Sequence, residues 1–454
     1  MMRARNMFTR GLTLLLAIPI VVAPPVTAAP LRADQHVPGE VLLRFADKTS
    51  ERQLESTLRL LGSRHERIGY GSVTRLQLQS GSRVDSVIDY LSGLEGVAIV
   101  QPNYRYRFAA LPNDPEVDQQ WAVANTGQTI LGASIYPFNN PGTPGSDLGL
   151  TDAWNVRSDC RGVVVAVIDS GVAYAHADLA AAMWDGSPTY PNHGWDTAGS
   201  GDDDPAPDTG IAEDDHGTHV AGIVGAIGDN ATGITGICWQ AEIMAIRAGS
   251  FASGLTTADV IEGIAFAIDN GASIMNMSFG GELPFDPLFS AAIDDARDAG
   301  VLVVAAAGND GVDVDGSGAD GLDTTRFYPC AFPQDNVVCV AASDQADEWA
   351  LFSSYGATSV DLAAPGTNVL STTYFDGFDV MSGTSMATPQ ASGIAALIWA
   401  HNPAYGYREV RSSLLDSSRA AGAWSGLTVT GGVVDADRAI RLLQPPTGLS
   451  YTLD

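Results

Sequence analysis

Three segments of the chain place a reactive side chain beside glycine, where the backbone of a bound peptide can approach closely. Asp169 ends the apolar run VVVAVID, His216 opens the segment HGTHVAG, and Ser385 stands in GTSMATP. A serine hydroxyl is a poor nucleophile until a histidine removes its proton, and that histidine needs a carboxylate to fix its tautomer and stabilise its charged form. Together, the three residue types predict nucleophilic acyl transfer.

Each segment alone also has an ordinary structural interpretation. Asp169 could cap a turn, His216 could be a solvated surface residue, and Ser385 could be the N-cap of a helix. His216 and His219 lie three residues apart and could suggest a metal pair, but the Glu of a His-Glu-x-x-His helix is absent. The order Asp, His, Ser along the chain favours the catalytic interpretation, because each fold that carries this constellation has its own order.

In this order, the segments DSGV, HGTHVAG and GTSMATP resemble the three signature motifs of the subtilases. The resemblance covers about residues 110–442, and the Pro-Asn-Asp-Pro segment at 112–115 is similar to the start of mature thermitase-like chains. It implies a serine endopeptidase in which Asp169 orients His216, His216 acts as general base and then acid, and Ser385 attacks the scissile carbonyl. A catalytically inactive binding protein would have lost a motif residue, and a ligase would need a large lid insertion, so both alternatives are less favoured.

The resemblance also implies residues that bind the substrate and its transition state. Asn309 in AAAGN matches the oxyanion-hole asparagine of the family, with the Ser385 backbone N–H as the second donor. Two segments are similar to the edges that pair with extended substrate, and such edges predict broad selectivity. The substrate-binding residues implied are Ser278, Phe279, Gly280, Gly281, Ser253 and Gly254. Asp310 could admit a basic side chain at P1, the residue before the scissile bond, or be a solvated loop acid.

A structural calcium ion is implied by the same resemblance. The loop 227–234 keeps the length found in thermitase-like chains, and Ca²⁺ prefers six to eight oxygen ligands. The ligands implied are the side chains of Asp114, Asp178 and Asn230 and the backbone carbonyls of Ile227, Thr232 and Ile234. The acidic run 202–204 could form a second, weaker site or be solvated.

Short apolar runs that alternate with helical patterns must position these residues. Such runs are typical of strands buried on both faces of a parallel sheet, and they occur at 163–168, 242–246, 273–277, 301–307 and 337–341. Helical patterns long enough for crossover connections occur at 216–227, 257–270, 287–299 and 385–401. The expected fold class is α/β, a three-layer α/β/α domain over residues 110–454 with a mainly parallel sheet and no C-terminal accessory domain.

Residues 29–109 predict a small α+β domain with the order β-α-β-β-α-β. Strand patterns at 39–46, 66–79 and 97–108 alternate with helical patterns that start at Ser50 and at Val84. This order and the ending PNYRYR resemble subtilase propeptides. The resemblance implies that the chain's own propeptide is an intramolecular inhibitor and folding assistant, cleaved off near residues 109–111.

Residues 1–28 predict a secretory signal peptide. Three arginines precede an apolar run over 12–22, and the ending Val26-Thr27-Ala28 suits signal peptidase. The run is shorter than the roughly 20 residues that span a bilayer. We therefore expect an exported, extracellular product without a membrane anchor.

Charge restricts the expected partners. The formal net charge is -29 with a pI near 4.3, and Lys48 is the only lysine. Nucleic-acid binding needs clustered Lys and Arg, so nucleic acid is excluded as a partner. We expect protein or peptide substrates and a monomeric enzyme.

Four cysteines in an exported chain predict two disulfides, and three pairings are possible. Cys330 and Cys339 flank a short loop that contains proline, which would leave Cys160 to pair with Cys238. Free thiols and a metal site are the alternatives.

Overall fold

A computed structural model of the chain describes residues 36–46, 48–68, 73–104, 111–133, 139–198, 204–207, 214–315 and 325–441. The predicted signal peptide and most of the expected processing region near residue 110 lie outside these ranges. Within them, no helix has the length and apolar character needed to cross a bilayer.

The described residues divide into two compact units, one within residues 36–104 and one within residues 111–441. The first unit has the predicted β-α-β-β-α-β order. Its elements are β1 (His36–Phe45), α1 (Lys48–Leu61), β2 (Gly62–Ile68), β3 (Val73–Leu78), α2 (Val84–Ser92) and β4 (Val97–Tyr104).

The first unit has a core of its own between its sheet and its helices. The strands form an antiparallel sheet in the order β2-β3-β1-β4. Because side chains alternate along a strand, Leu76 and Leu78 of β3 lie on one buried face. They pack in one cluster with Leu58 of α1 and Leu91 of α2.

The second unit contains the remaining elements. They are α3 (Leu150–Ala153), β5 (Asp159–Asp169), β6 (Gly194–Asp196), α4 (His216–Gly225), β7 (Gln240–Arg247), β8 (Gly249–Ser250), β9 (Gly254–Leu255), α5 (Thr257–Asp269), β10 (Ile274–Met277), β11 (Gly281–Pro284), α6 (Pro287–Asp298), β12 (Leu302–Ala306), β13 (Thr325–Tyr328), β14 (Val337–Ser343), β15 (Leu362–Pro365), β16 (Val369–Thr373), β17 (Gly377–Met381), α7 (Thr384–His401), α8 (Tyr407–Asp416), β18 (Arg419–Ala420), β19 (Gly432–Val433) and α9 (Ala436–Arg441).

One nine-stranded sheet organises this unit, in the order β18-β19-β15-β14-β12-β10-β5-β7-β6. Its pairs are parallel from β19 to β6, and the edge pair β18–β19 is antiparallel. Val165 and Val167 of β5 belong to the apolar cluster that includes residues of α4 and α7, whereas Ala166 and Ile168 belong to the cluster that includes residues of α5 and α6. Both faces of the sheet are therefore covered, which confirms the three-layer α/β/α prediction.

Several elements were not predicted from the sequence. They include α8, α9 and the antiparallel pairs β11–β13 and β16–β17. Strand β11 has three exposed residues out of four, so it lacks the continuous apolar run that marked the central strands. A pattern search for buried strands cannot find such an element.

Two disulfides are present, Cys160–Cys238 and Cys330–Cys339. This is the favoured pairing of the sequence analysis. The first joins the start of β5 to the segment before β7, and the second joins the segment after β13 to β14.

We expect loss of Cys160–Cys238 to destabilise the protein more than loss of Cys330–Cys339. The first spans a sequence separation of 78 residues and the second of 9, and the entropy that a cross-link removes from the unfolded chain grows with loop length. On this scaling, the Cys160→Ser/Cys238→Ser variant should lose about 2 kcal/mol more free energy of unfolding than Cys330→Ser/Cys339→Ser. Calorimetric melting of the two variants measures the difference, and an equal or reversed order would contradict this expectation.

Candidate active site

Asp169 and His216 meet where β5 ends and α4 begins. His216 Nδ1 lies 2.7 Å from Asp169 Oδ1, and the same oxygen accepts a hydrogen bond from Ser170 N at 2.7 Å. The Asp169 side chain is 4% exposed, and its Oδ2 is buried with no hydrogen-bond partner among the described residues. A buried carboxylate is unfavourable unless a nearby group stabilises its charge, and His216 can supply that stabilisation.

Asp169 determines the protonation behaviour of His216. Burial alone would lower the pKa of His216, because it penalises the charged imidazolium, but the negative charge of Asp169 and the hydrogen bond to it raise that pKa above its ordinary value. Because Nδ1 is hydrogen-bonded to Asp169, Nε2 is the ring nitrogen that can exchange a proton with a hydroxyl group. The imidazole is therefore equipped to accept a proton there.

The hairpin β16–β17 fixes helix α4 behind His216. His219 Nε2 lies 3.1 Å from the carbonyl oxygens of Val369 and Asp379, and Ser371 Oγ donates to the carbonyl oxygen of His219 at 2.7 Å. Burial lowers the pKa of His219 to about 3, so this ring is neutral. His216 and His219 have different partners and do not form a metal pair.

Ser385 is the second residue of α7. Every residue of this helix is buried except Ser385, Trp399 and His401. The Ser385 hydroxyl donates to the carbonyl oxygen of Ser278 at 3.0 Å. Since catalytic hydrogen bonds often form only when substrate is bound, this resting orientation is compatible with later proton transfer to His216.

A chain of buried hydroxyl and amide groups holds Ser385 against strand β10. Ser392 Oγ donates to Asn276 Oδ1 at 2.8 Å, and Asn276 Nδ2 donates to Ser278 Oγ at 3.0 Å. Ser278 Oγ in turn donates to the carbonyl oxygen of Ser385 at 2.9 Å. The chain starts and ends on α7, so it fixes the reactive end of the helix relative to the sheet.

The side-chain amide of Asn309 is anchored through its oxygen, which leaves its nitrogen able to donate to a ligand. Its Oδ1 accepts hydrogen bonds from Thr384 N and Thr384 Oγ1, both at 2.9 Å. Gly308 N donates to Thr384 Oγ1 at 3.2 Å, which links the two segments further. Because the carbonyl side of the amide is anchored on α7, Nδ2 is the group that can meet an oxygen in the cleft.

These residues share one cleft with a volume of about 470 Å³. Asp169, His216, Ser385 and Asn309 all line it. The predicted substrate-binding residues Ser278, Phe279, Gly280, Gly281 and Gly254 line it too. Ser253 is not among the lining residues; its hydroxyl lies 2.7 Å from the hydroxyl of Ser250, which does line the cleft.

The cleft also contains three apolar side chains that the sequence did not indicate, those of Phe251, Leu283 and Phe327. Phe251 lies beside His216, with ring centroids 6.1 Å apart, and is 67% exposed. Leu283 and Phe327 lie on the paired strands β11 and β13 and line the same cleft. Asp310 lines the cleft next to Asn309 and is exposed. Phe327 directly precedes Tyr328-Pro329, whose peptide bond is cis.

Two buried carboxylates lie at the predicted calcium site. Asp114 accepts hydrogen bonds from Asp229 N and Asn230 N, at 2.8 and 3.0 Å. Asp178 accepts from Ile234 N at 3.0 Å and from Asn230 Nδ2 at 2.7 Å. Burial raises the pKa of both carboxyl groups, and the negative charge of Asp114 raises that of Asp178 further.

The donor set at this loop fits a hard cation. Within the described ranges, no basic side chain forms an ion pair with Asp114 or Asp178, and the carbonyl oxygens of Ile227, Thr232 and Ile234 accept no hydrogen bond. Two carboxyl groups, together with the three backbone carbonyls, are oxygen ligands of the kind that Ca²⁺ prefers.

The acidic run at 202–204 lies mostly outside the described residues. Of its three acids, Asp204 is described, and its Oδ1 accepts a hydrogen bond from the Tyr174 hydroxyl at 3.2 Å. A second cation site on this run therefore stays a prediction.

Each of the two units resembles a known protein family. The sequence model of the Subtilase family matches residues 160–434, and that of the fervidolysin N-terminal prodomain matches residues 23–103. A thermophilic serine proteinase of Bacillus sp. (strain AK1) is 32% identical over 365 residues, which cover 80% of this chain and 78% of that protein. Thermitase of Thermoactinomyces vulgaris is 37% identical over 246 residues, or 54% of this chain and 77% of thermitase. Among solved structures, a protease from Pseudoalteromonas arctica PAMC 21717 matches with a TM-score of 0.59 and 30% identity, over 73% of this chain and 99% of that chain.

We expect kcat/KM for peptide hydrolysis to rise with pH, with a midpoint above 6.5. A general base must be deprotonated, and Asp169 raises the pKa of His216 above 6.5, so activity is lost as the pH falls through the raised pKa. The Asp169→Asn variant should retain a small residual activity whose midpoint is lower, because the raising charge is gone. Initial rates from pH 5 to 9 measure both; a flat profile in the wild type, or an upward shift in Asp169→Asn, would contradict the assignment.

Proposed function

Because this chain belongs to the subtilase family, with a prodomain ahead of the catalytic domain, we propose that Asp169, His216 and Ser385 are the catalytic triad of this serine-type endopeptidase. The observation that carries the proposal is the 2.7 Å contact between His216 Nδ1 and Asp169 Oδ1, in a cleft that Ser385 also lines. An inactive binding protein has no support, because each of the expected catalytic residues is present in that cleft.

In the proposed reaction, His216 Nε2 takes the proton of Ser385 Oγ as this oxygen attacks the scissile carbonyl carbon. Asp169 stays ionised and stabilises the imidazolium that forms. The tetrahedral intermediate then collapses, and His216 gives its proton to the leaving amine. Water, activated by the same imidazole, releases the acyl group from Ser385 and restores the enzyme.

Asn309 Nδ2 and the backbone N–H of Ser385 are the proposed oxyanion donors. The anchoring of Asn309 Oδ1 by Thr384 supports this role, because a fixed amide needs no reorganisation when charge develops on the substrate oxygen. The start of α7 adds favourable electrostatics, since unpaired N–H groups at a helix N-terminus stabilise negative charge.

The peptide itself is proposed to bind along the segments 278–281 and 249–255. Backbone pairing with such edges holds the main chain and leaves most side chains in solvent. We therefore expect broad specificity at the substrate positions whose side chains do not enter the cleft.

Synthesis as an inactive, exported precursor completes the proposal. Residues 1–28 direct export, and the prodomain over residues 29–109 inhibits the catalytic domain until cleavage near 109–111. The fervidolysin-like match over residues 23–103 supports a prodomain there. The released catalytic domain, residues 110–454, is proposed to be an extracellular monomer.

We also propose that Ca²⁺ binds between Asp114 and the loop 227–234 and stabilises the fold. The ion would neutralise two buried carboxylates and join the segment that holds Asp114 to the loop. Its ligands would be Asp114, Asp178, Asn230 and the carbonyls of Ile227, Thr232 and Ile234. In this structure Asn230 turns its Nδ2 to Asp178 and its Oδ1 to Thr232 N.

Ser385→Ala should abolish casein hydrolysis and leave the precursor unprocessed, because the nucleophile is missing. Ser412→Ala is the matched control, since Ser412 is an exposed serine on α8 and its loss should change neither activity nor maturation. Electrophoresis of secreted protein and casein assays measure both effects. Normal maturation of Ser385→Ala with no other protease added would rule out the proposed nucleophile.

Chelation of calcium should lower the melting temperature. An ion that binds only the folded state stabilises it by about 4 kcal/mol at 1,000 times its dissociation constant. We expect EDTA to lower the melting temperature of the wild type and of Asp118→Asn, an exposed control, but to have little effect on Asp178→Asn. An EDTA-insensitive wild type would remove the calcium proposal.

A further inference from the structure

The reacting carbonyl has a restricted position in the cleft. Its carbon must lie near Ser385 Oγ and its oxygen near Asn309 Nδ2. The P1 side chain is attached one bond from that carbon, so it begins close to Gly308, the residue before Asn309. Two segments form the walls of the cleft beside the P1 side chain. One follows β12 and contains Gly308, and the other follows the neighbouring parallel strand β10 and contains Gly280.

Both walls carry glycine at this level, and the same aromatic ring fills the space beside each. A Cβ on Gly280 would lie 2.3 Å from Phe327 Cε1 and 2.7 Å from its Cζ. A Cβ on Gly308 would lie 2.8 Å from Phe327 Cε2 and 2.9 Å from its Cζ. The tip of the ring therefore touches both walls and stands between them.

The ring is held in this position by its surroundings. Phe327 lies on β13, opposite Glu282 of β11, and packs against the apolar cluster that contains Ala307. Its neighbour Tyr328 is buried and packs on Phe332, with ring centroids 4.5 Å apart. A ring fixed on a paired strand with a buried neighbour cannot leave without disturbing that packing.

We propose that the ring of Phe327 closes the space for the P1 side chain, so that this protease selects peptides with a small P1 residue such as Ala, Ser or Gly. The inference rests on the proposed function, since it takes Ser385 and Asn309 as the groups that fix the carbonyl. A large P1 side chain would have to displace the ring, whereas a small one reaches less far toward it. Phe327 is thus a specificity-determining residue, and not one that moves protons.

The test uses enzyme matured from the full chain and tetrapeptide p-nitroanilides that differ only at P1, with Ala, Phe or Arg. For the wild type, kcat/KM should be at least about tenfold higher with Ala than with Phe. Phe327→Ala should raise the Phe-to-Ala ratio of kcat/KM at least about tenfold. Phe251→Ala is the matched control, because it removes an aromatic ring from the same cleft at a place outside the two glycine walls, and it should leave the ratio unchanged whatever its effect on absolute rates.

The wild type alone can overturn the proposal. If kcat/KM with Phe at P1 equals or exceeds that with Ala, the ring does not limit the P1 side chain. If kcat/KM with Arg exceeds that with Ala, Asp310 and not Phe327 determines the P1 preference. An unchanged ratio in an active Phe327→Ala enzyme would also overturn it. If Phe327→Ala fails to mature, Phe327→Leu should give an intermediate ratio. Failure of the proposed function is distinct, since it would appear as cleavage of no substrate by the wild type or as activity in Ser385→Ala.

Discussion

The arrangement of the cleft depends on the buried carboxylate of Asp169 at the end of strand β5. Asp169 terminates β5, which pairs with β10 on one side and β7 on the other, and one of its carboxylate oxygens has His216 as a partner while the other has none among the described residues. Strands of a parallel sheet end at a common edge, so β10 and β12 deliver Ser278 and Asn309 to the same place. The cleft is a product of sheet topology. Burial alone would lower the pKa of His216, but the negative charge of Asp169 and the hydrogen bond to it raise that pKa.

Helix α7 brings Ser385 to this edge of the sheet. Its sequence is rich in Ala, Gly, Ser and Thr, and small side chains allow a helix buried on nearly all sides to pack closely against the sheet. Tight packing leaves Ser385 accessible at the first turn. The hydrogen-bonded chain from Ser392 through Asn276 and Ser278 prevents the turn from shifting, because each member is buried and a broken bond would leave an unpaired polar group.

The layers of the fold and several residues that line the cleft could be predicted from the sequence. The shape of the cleft could not. Central strands such as β5 are continuous apolar runs, so their existence was clear, although β5 begins at Asp159 and not at Val163. Ser253 was expected to bind substrate; its hydroxyl lies beside Ser250 Oγ in the turn between β8 and β9, and its role stays a prediction. Phe327 belongs to no catalytic motif, and its position depends on the pairing of β13 with a largely exposed strand. Such contacts are tertiary, and neither periodicity nor residue type encodes them locally.

The hairpin β16–β17 is hydrogen-bonded to helix α4, which begins at His216. Ser371 and Thr372 bind successive carbonyls of α4, those of His219 and Thr218, and Tyr374 N donates to Asp215, the residue before His216. The start of α4 is therefore held by hydrogen bonds on both sides of His216 in the sequence. Opening of this hairpin on heating would therefore displace α4, and His216 with it, before the rest of the domain unfolds.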